Sequence, residues 1–190
     1  MKIALDMDEV LCSLVEPVLC NRNFPLKYEQ ITNYNLREIT DYTKEEAVKL
    51  FMDLILEDFQ KNHKILTPLQ YTVETVRRLK EIADKIYVVT ARPEILKDYT
   101  LSWFGKYFEN LIDDVVFMNK TLDVKVWNKW DKLKELWIDL FVDDNLENVI
   151  WAVDAWIEKV FLVDKPWNQV KLDKSIIRIA ALNEVLDYVD

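Results

Sequence analysis

Lys2-Ile3-Ala4-Leu5-Asp6-Met7-Asp8-Glu9-Val10 decides how this chain is read. A short, mostly apolar run of strand length passes directly into two aspartates spaced two apart. Successive side chains of a strand alternate faces, so these carboxylates project the same way while the backbone stays extended. Where the strand ends the chain must turn, and Asp6 and Asp8 then border one small space at the sheet's carboxyl edge. That edge is where ligands bind in open α/β sheets. Two carboxylates this close repel unless a cation shares them or one holds a proton. The plain alternative is an acidic turn after a strand.

Outward from this stretch, short apolar runs alternate with amphipathic segments, the pattern of a parallel sheet covered by helices. Strands are expected at 2–7, 86–90, 115–118, 140–142 and 160–163, with an edge strand at 176–179. The spacing predicts helices over 9–20 (interrupted by Pro17), 70–83, 93–108, 128–137, 145–157 and 181–189. Thr43-Lys44-Glu45-Glu46 has the form of a capping box, opening a helix to about Lys61. Expected inward positions include Ile82, Trp130, Leu133, Trp137, Ile150 and Trp156. The stretch 13–75 has no clear parallel strand. It is read as a helical cap inserted after the first strand, lying over the carboxyl edge and excluding water there. The expected architecture is a Rossmann-like three-layer α/β/α core, residues 1–12 and 76–190, carrying that cap.

Composition narrows the function. The chain has 190 residues, 51% of them hydrophobic and 12% aromatic, which supports a packed core and argues against disorder. A formal net charge of −9 argues against a nucleic-acid polymer as partner, since such binding needs clustered Lys and Arg. It leaves room for a small phosphate ester. No apolar run is long enough to span a membrane, and the acidic N-terminus does not read as a signal peptide. Cys12 and Cys20 are the only cysteines and read as free, buried thiols of a reducing, cytoplasmic compartment. Gly105 is the only glycine, so glycine-rich phosphate loops are excluded and any anion site must use side chains, a metal and other backbone amides.

Three expected strand ends carry polar residues: Asp6 with Asp8, then Thr90, then Asp143 with Asp144. In a right-handed parallel sheet these ends share one edge. Up to four carboxylates there need compensation, and Mg²⁺ suits carboxylates together with water and a phosphate oxygen. The reading requires Asp6 and Asp144 within roughly 6 Å, two hydrogen-bond lengths.

In this order, Asp6-Met7-Asp8-Glu9-Val10, Thr90, a later lysine and Asp143-Asp144 resemble the four motifs of the haloacid dehalogenase superfamily of phosphohydrolases. Thr90-Ala91-Arg92-Pro93, Phe141-Val142-Asp143-Asp144 and Lys165-Pro166-Trp167-Asn168 further resemble its 5′(3′)-deoxyribonucleotidase branch. The resemblance implies Asp6 as nucleophile and Asp8 as general acid and then base. It implies Thr90 and the Ala91 amide as phosphoryl ligands. The metal would be held by the Asp6 side chain, the Asp8 backbone carbonyl and Asp144, with Asp143 outside the direct ligands. The lysine is Lys129 by its place near the start of its helix, with Lys132 in reserve. The implied reaction is Mg²⁺-dependent hydrolysis of (deoxy)nucleoside monophosphates through an aspartyl-phosphate. The alternatives are a phosphatase of another small ester such as a sugar phosphate, and a non-catalytic phosphate-binding regulatory module. Oligomeric state is left open, a homodimer included.

Glu9 and Trp137 depart from the superfamily by standing where glycine is frequent. Arg92 is expected in a salt bridge at a helix start. His63, the sole histidine, is expected on the surface, which argues against histidine catalysis or zinc. Tyr34, Tyr42, Phe51 and Phe59 are aromatic candidates to stack on a base, with core packing expected for the two phenylalanines.

Overall fold

The computed structural model describes residues 1–21, 26–33, 40–119 and 129–189; Tyr34 lies outside them. Six parallel strands form one sheet: β1 (Lys2–Leu5), β2 (Lys85–Pro93), β3 (Asp114–Asn119), β4 (Leu140–Asp143), β5 (Lys159–Val163) and β6 (Ile176–Ile179). Their order is β3-β2-β1-β4-β5-β6, and β1 pairs in parallel with both β2 and β4. This is a Rossmann-like sheet, and the strand order reverses between β1 and β4. A crevice opens at such a switch point, on the carboxyl side. The residues following Leu5 of β1 and Val142 of β4, which pair with each other, therefore flank it.

Period-two alternation along β1 builds two cores. Ile3 and Leu5 face one side, with Val76 and Leu79 of α3 (Thr72–Ile82) and Trp103 and Phe104 of α4 (Lys97–Tyr107). Ala4 faces the other side, with Leu133 of α5 (Lys129–Leu136) and with Val149 and Ala152 of α6 (Leu146–Asp154). The result is the expected three-layer arrangement. Leu5 is fully buried, and Leu5→Ala there would cost about 2–5 kcal/mol.

Between β1 and β2 lie α1 (Val15–Asn21), a 3-10 turn at Tyr28–Gln30 and α2 (Lys44–Gln60). The predicted capping box opens α2: the Glu46 amide donates to Thr43 Oγ1, and the Glu46 carboxylate accepts from the Thr43 amide at 2.8 Å. Leu14, Val18, Leu54, Ile55, Leu66 and Leu96 form a separate small core. Helix α3 packs against the sheet as one piece, and residue 75 falls inside it.

Several expectations need correction. The first strand ends at Leu5, because the chain turns through residues 8–12 before α1. Pro93 ends β2 and caps a 3-10 turn, Glu94–Leu96, that runs directly into α4, so the helix opens near the expected place with a tighter first turn. The final segment, Leu182–Tyr188, is 3-10. Cys20 is exposed, while Cys12 is buried and both are free. Ile82 and Ile150 are partly exposed, and Trp137 and Trp156 are 78% and 91% exposed. Both tryptophans have a common cause. Each follows a helix with positive φ, 57° and 66°. The next residue folds back, Ile138 onto the Leu133 carbonyl and Ile157 onto the Ala152 carbonyl. This is the helix ending that normally uses glycine. It turns the isoleucine inward and the preceding residue outward, so helical periodicity misplaces the indole.

Candidate active site

Asp6 follows β1, and its amide donates to the Val142 carbonyl at 2.9 Å, which continues the β1–β4 ladder by one residue. Asp143 is thereby drawn beside Asp6. Carboxylate oxygens of Asp6, Asp143 and Asp144 all lie within 4.8 Å of one another, inside the required separation, and all three residues are buried. Lys129, at the first turn of α5 and also buried, places Nζ 2.8 Å from Asp6 and 2.7 Å from Asp143. Lys132 instead pairs with Glu135 on a more open face. Geometry thus separates the two lysines that the sequence left open.

Asp143 is further held by the Asn145 amide at 2.8 Å and by Asn148 Nδ2 at 3.0 and 3.1 Å. Asn145 also caps α6 through its side chain. Asp144 accepts from Trp167 Nε1 at 2.8 Å, and its backbone carbonyl accepts from Asn168 Nδ2 at 2.8 Å. Burial pushes Asp6 up from the ordinary 3.8 to about 7, opposed by Lys129 and reinforced by Asp143. Burial, then Asp143 and Asp6, push Asp144 well above the usual carboxylate range. Lys129 is held charged against its burial by Asp143 and Asp6. Such a group of buried oxygens is short of positive charge. The donor set fits a hard divalent cation, which takes oxygen ligands.

Asp8 stands apart from these three. Arg92 grips it with both arms of the guanidinium, Nε at 2.9 Å and Nη2 at 2.7 Å, and the Cys12 thiol lies 3.4 Å away. Arg92 forms a salt bridge, but not the ordinary one expected at a helix start: it lies in β2, and its partner is the second aspartate of the opening stretch. Thr90 is fully buried near the end of β2, where its hydroxyl accepts from the Arg92 amide at 3.1 Å. Ala91 is exposed beside it.

Glu9 has φ 63°, the conformation that makes glycine convenient there. Its buried carboxylate accepts from the amides of Leu14 and Val15 at 2.7 and 2.8 Å, from Tyr28 OH at 3.2 Å and from Lys165 at 3.1 Å. It therefore fastens the start of α1 and the 3-10 turn to the loop after β5. His63 is buried, contrary to expectation, and sits between Asp58 and Ser102. Phe59 is partly exposed and packs edge-on against Tyr99, while Phe51 and Tyr42 are half-buried.

Sequence reasoning gave no role to Asn148, Trp167 or Asn168. The last two lie in the Lys165-Pro166-Trp167-Asn168 stretch that carried part of the resemblance, which was the available signal.

No family model matches the chain. The fold is that of haloacid dehalogenase hydrolases. A haloacid dehalogenase superfamily hydrolase from Geobacter sulfurreducens superposes with a TM-score of 0.59 at 18% identity, covering 98% of both chains. A D,D-heptose 1,7-bisphosphate phosphatase from B. bronchiseptica, solved with magnesium and phosphate, superposes at 0.54 with 12% identity over 99% of this chain and 97% of that one. The curated relatives are more particular. A Bacillus subtilis protein named as a candidate nucleotidase is 27% identical over all of this chain and 94% of its own. A Clostridium acetobutylicum nucleotidase is 26% identical over the same shares. The resemblance read from the motifs therefore holds across the whole chain.

Proposed function

We propose that this chain is a Mg²⁺-dependent phosphomonoesterase that removes phosphate from nucleoside monophosphates through a phosphorylated Asp6. One observation carries the reading: three carboxylates from two adjoining strand ends gather at the sheet's switch point with Lys129 bridging two of them. The fold and the nucleotidase relatives support a phosphatase. Asp6, Asp144 and the Asp8 backbone carbonyl would hold the ion, with Asp143 engaged behind them by Lys129, Asn145 and Asn148. Bound there, Mg²⁺ supplies neutralisation of charge on the transferring phosphoryl group.

A carboxylate oxygen of Asp6 attacks phosphorus, and the ester P–O bond breaks as the new O–P bond forms. Asp8 gives a proton to the departing alkoxide. It then takes one from the water that attacks the phosphorylated Asp6, which releases inorganic phosphate. Both Asp8 oxygens rest on Arg92, so this role requires the side chain to leave that partner and take up a proton before it meets the leaving group. Thr90 and the Ala91 amide hold phosphoryl oxygens, and Lys129 stabilises the charge that builds on them. The described elements between β1 and α3 act as the cap, with Glu9 as their fastening. No helix among the described residues is long and apolar enough to cross a membrane.

The test is phosphate release from a panel of nucleoside 5′- and 3′-monophosphates and sugar phosphates, with Mg²⁺ and with EDTA. Nucleotides lead in kcat/KM, and EDTA abolishes turnover. Preference for sugar phosphates would move the substrate class; inertness toward every ester would leave the regulatory module.

A further inference from the structure

The loop after β5 grips Asp144 twice. Asn168, fully buried, donates from Nδ2 to the Asp144 carbonyl and to the Val163 carbonyl, both at 2.8 Å. Its Oδ1 accepts from the Lys165 amide at 3.1 Å and from Arg178 at 2.8 Å. The amide is therefore committed on both ends, and it fixes the loop against the backbone of Asp144. Trp167, one residue earlier, then reaches the Asp144 side chain, with Nε1 at 2.8 Å from Oδ2. The ring is braced in turn. Tyr28 meets it edge-on at 5.7 Å and 72°, and the Tyr28 hydroxyl and Lys165 both end on Glu9.

From this geometry we infer that Trp167 is a positioning residue for the cation: its indole N–H fixes one oxygen of Asp144 so that the carboxylate stays turned toward Asp6 and Asp143. The physical case is that a carboxylate rotates about χ2 at little cost, and its neighbours here repel it. A single donor seated on a rigid loop removes that freedom. Donors of this kind behind a metal ligand typically set metal affinity by a factor of about 10–100. An indole suits the task, because it donates without adding a charge that would compete with the ion. The inference rests on the Mg²⁺ reading above.

The experiment is calorimetric titration of the substrate-free protein with Mg²⁺ alone, for wild type, Asp144→Asn, Trp167→Phe, Trp167→His and Tyr28→Phe. Matching near-ultraviolet circular dichroism establishes that each variant is folded. Asp144→Asn loses binding. Trp167→Phe raises Kd about tenfold, while kcat at saturating Mg²⁺ stays within about threefold of wild type. Trp167→His, which keeps a ring N–H, recovers part of the affinity and serves as the second variant should Phe fail to fold. Tyr28→Phe keeps the aromatic brace and binds as wild type does. If Asp144→Asn loses binding while both Trp167 variants bind as tightly as wild type, the positioning role is overturned and the metal site stands. If wild type itself binds no Mg²⁺, the metal reading falls first.

Discussion

Among the described residues, the end of α2 and the sheet's carboxyl edge both bury carboxylates, and they do so in opposite ways. Asp58 is 1% exposed, near the end of α2. One of its oxygens accepts from the amides of Ile65 and Leu66, both at 2.8 Å, and the other meets His63 Nδ1 at 2.9 Å. Every contact there is a donor. Asp6 and Asp144 are buried against other carboxylates, with Lys129 and one indole as their neighbouring donors. A buried charge surrounded by donors holds structure together. A buried charge facing its own kind is a place where something must be supplied from outside. The contrast teaches which acidic residues to read as architecture and which as chemistry, and burial alone does not distinguish them.

Substituting each carboxylate by its amide separates the two cases. Asp6→Asn removes the nucleophile and should lower phosphate release by at least about a thousandfold. It also removes one of the repelling charges, so the metal-free variant should melt no lower than wild type. A melt lowered by several degrees would place Asp6 with Asp58 as a structural residue.

Asp58→Asn should do the reverse. Its amide oxygen can still accept from Ile65 and Leu66, but the new NH₂ faces His63 Nδ1, forces the other ring tautomer and removes the charged acceptor, which costs about 3 kcal/mol. In a chain this size that is a fall of roughly 6–12 °C in Tm. Turnover of the protein that remains folded should stay within about fivefold of wild type, measured well below the new melting point.

The pH dependence of stability sharpens the same contrast. Asp6 titrates near 7 in the folded, metal-free protein and near 3.8 when unfolded. Below about pH 4 it is neutral in both states and contributes no difference. Between about 4 and 7 the unfolded chain has released its proton while the folded one keeps it, so the folded state binds more protons and stability falls as pH rises. Asp144, raised in the same direction, adds to the fall. The slope reaches about 1.4 kcal/mol per pH unit for one group. Asp113, lowered to about 2 mainly by hydrogen bonds from Lys80, Ile86 and Lys85 against a burial penalty, acts below pH 4 and with opposite sign. Chemical denaturation in EDTA from pH 4 to 8 should show the decline, and both added Mg²⁺ and Asp6→Asn should flatten it.

Much of this was legible in the sequence, for reasons that are local. Strand order could not be read, but strand positions could, because alternation and apolar runs are set within five or six residues. The Thr43–Glu46 box is a four-residue motif, and it formed. The aspartates were legible because two short motifs each carry an adjacent or near-adjacent pair. What escaped was pairing across distance. Arg92 lies 84 residues from Asp8, Trp167 lies 23 from Asp144, and Ser102 lies 39 from His63. Those contacts depend on which strands become neighbours and on how α4 docks, which periodicity does not encode. His63 was misread for the same reason: its polar Lys-Asn-His-Lys neighbourhood suggests solvent, whereas Asp58 and Phe59 of α2 and Ser102 of docked α4 enclose it.

Ser102 offers the smallest and most discriminating test of the contrast. The line Asp58–His63–Ser102 has the chemical order of a nucleophilic triad, with His63 Nε2 3.1 Å from Ser102 Oγ. A working triad also needs donors for an oxyanion beside the nucleophile. Ser102 sits in the second turn of α4, Lys97–Tyr107, where backbone amides are spent on the helix's own i→i−4 bonds. The carboxylate end is equally committed, because Asp58 is ordering the Ile65 and Leu66 amides. The chain of contacts therefore reads as a joint between the α2 end and α4, reinforced by Tyr107 OH and Lys106 on the His63 carbonyl. Ser102→Ala should lower Tm by only about 2–4 °C, the loss of one hydrogen bond worth ~1 kcal/mol. Phosphate release should stay within twofold, and the wild-type protein should not be labelled by a fluorophosphonate at this serine. Labelling at Ser102 that disappears in the alanine variant would mean that the donor-satisfied carboxylate also does chemistry, and the division between the two buried sites would fail.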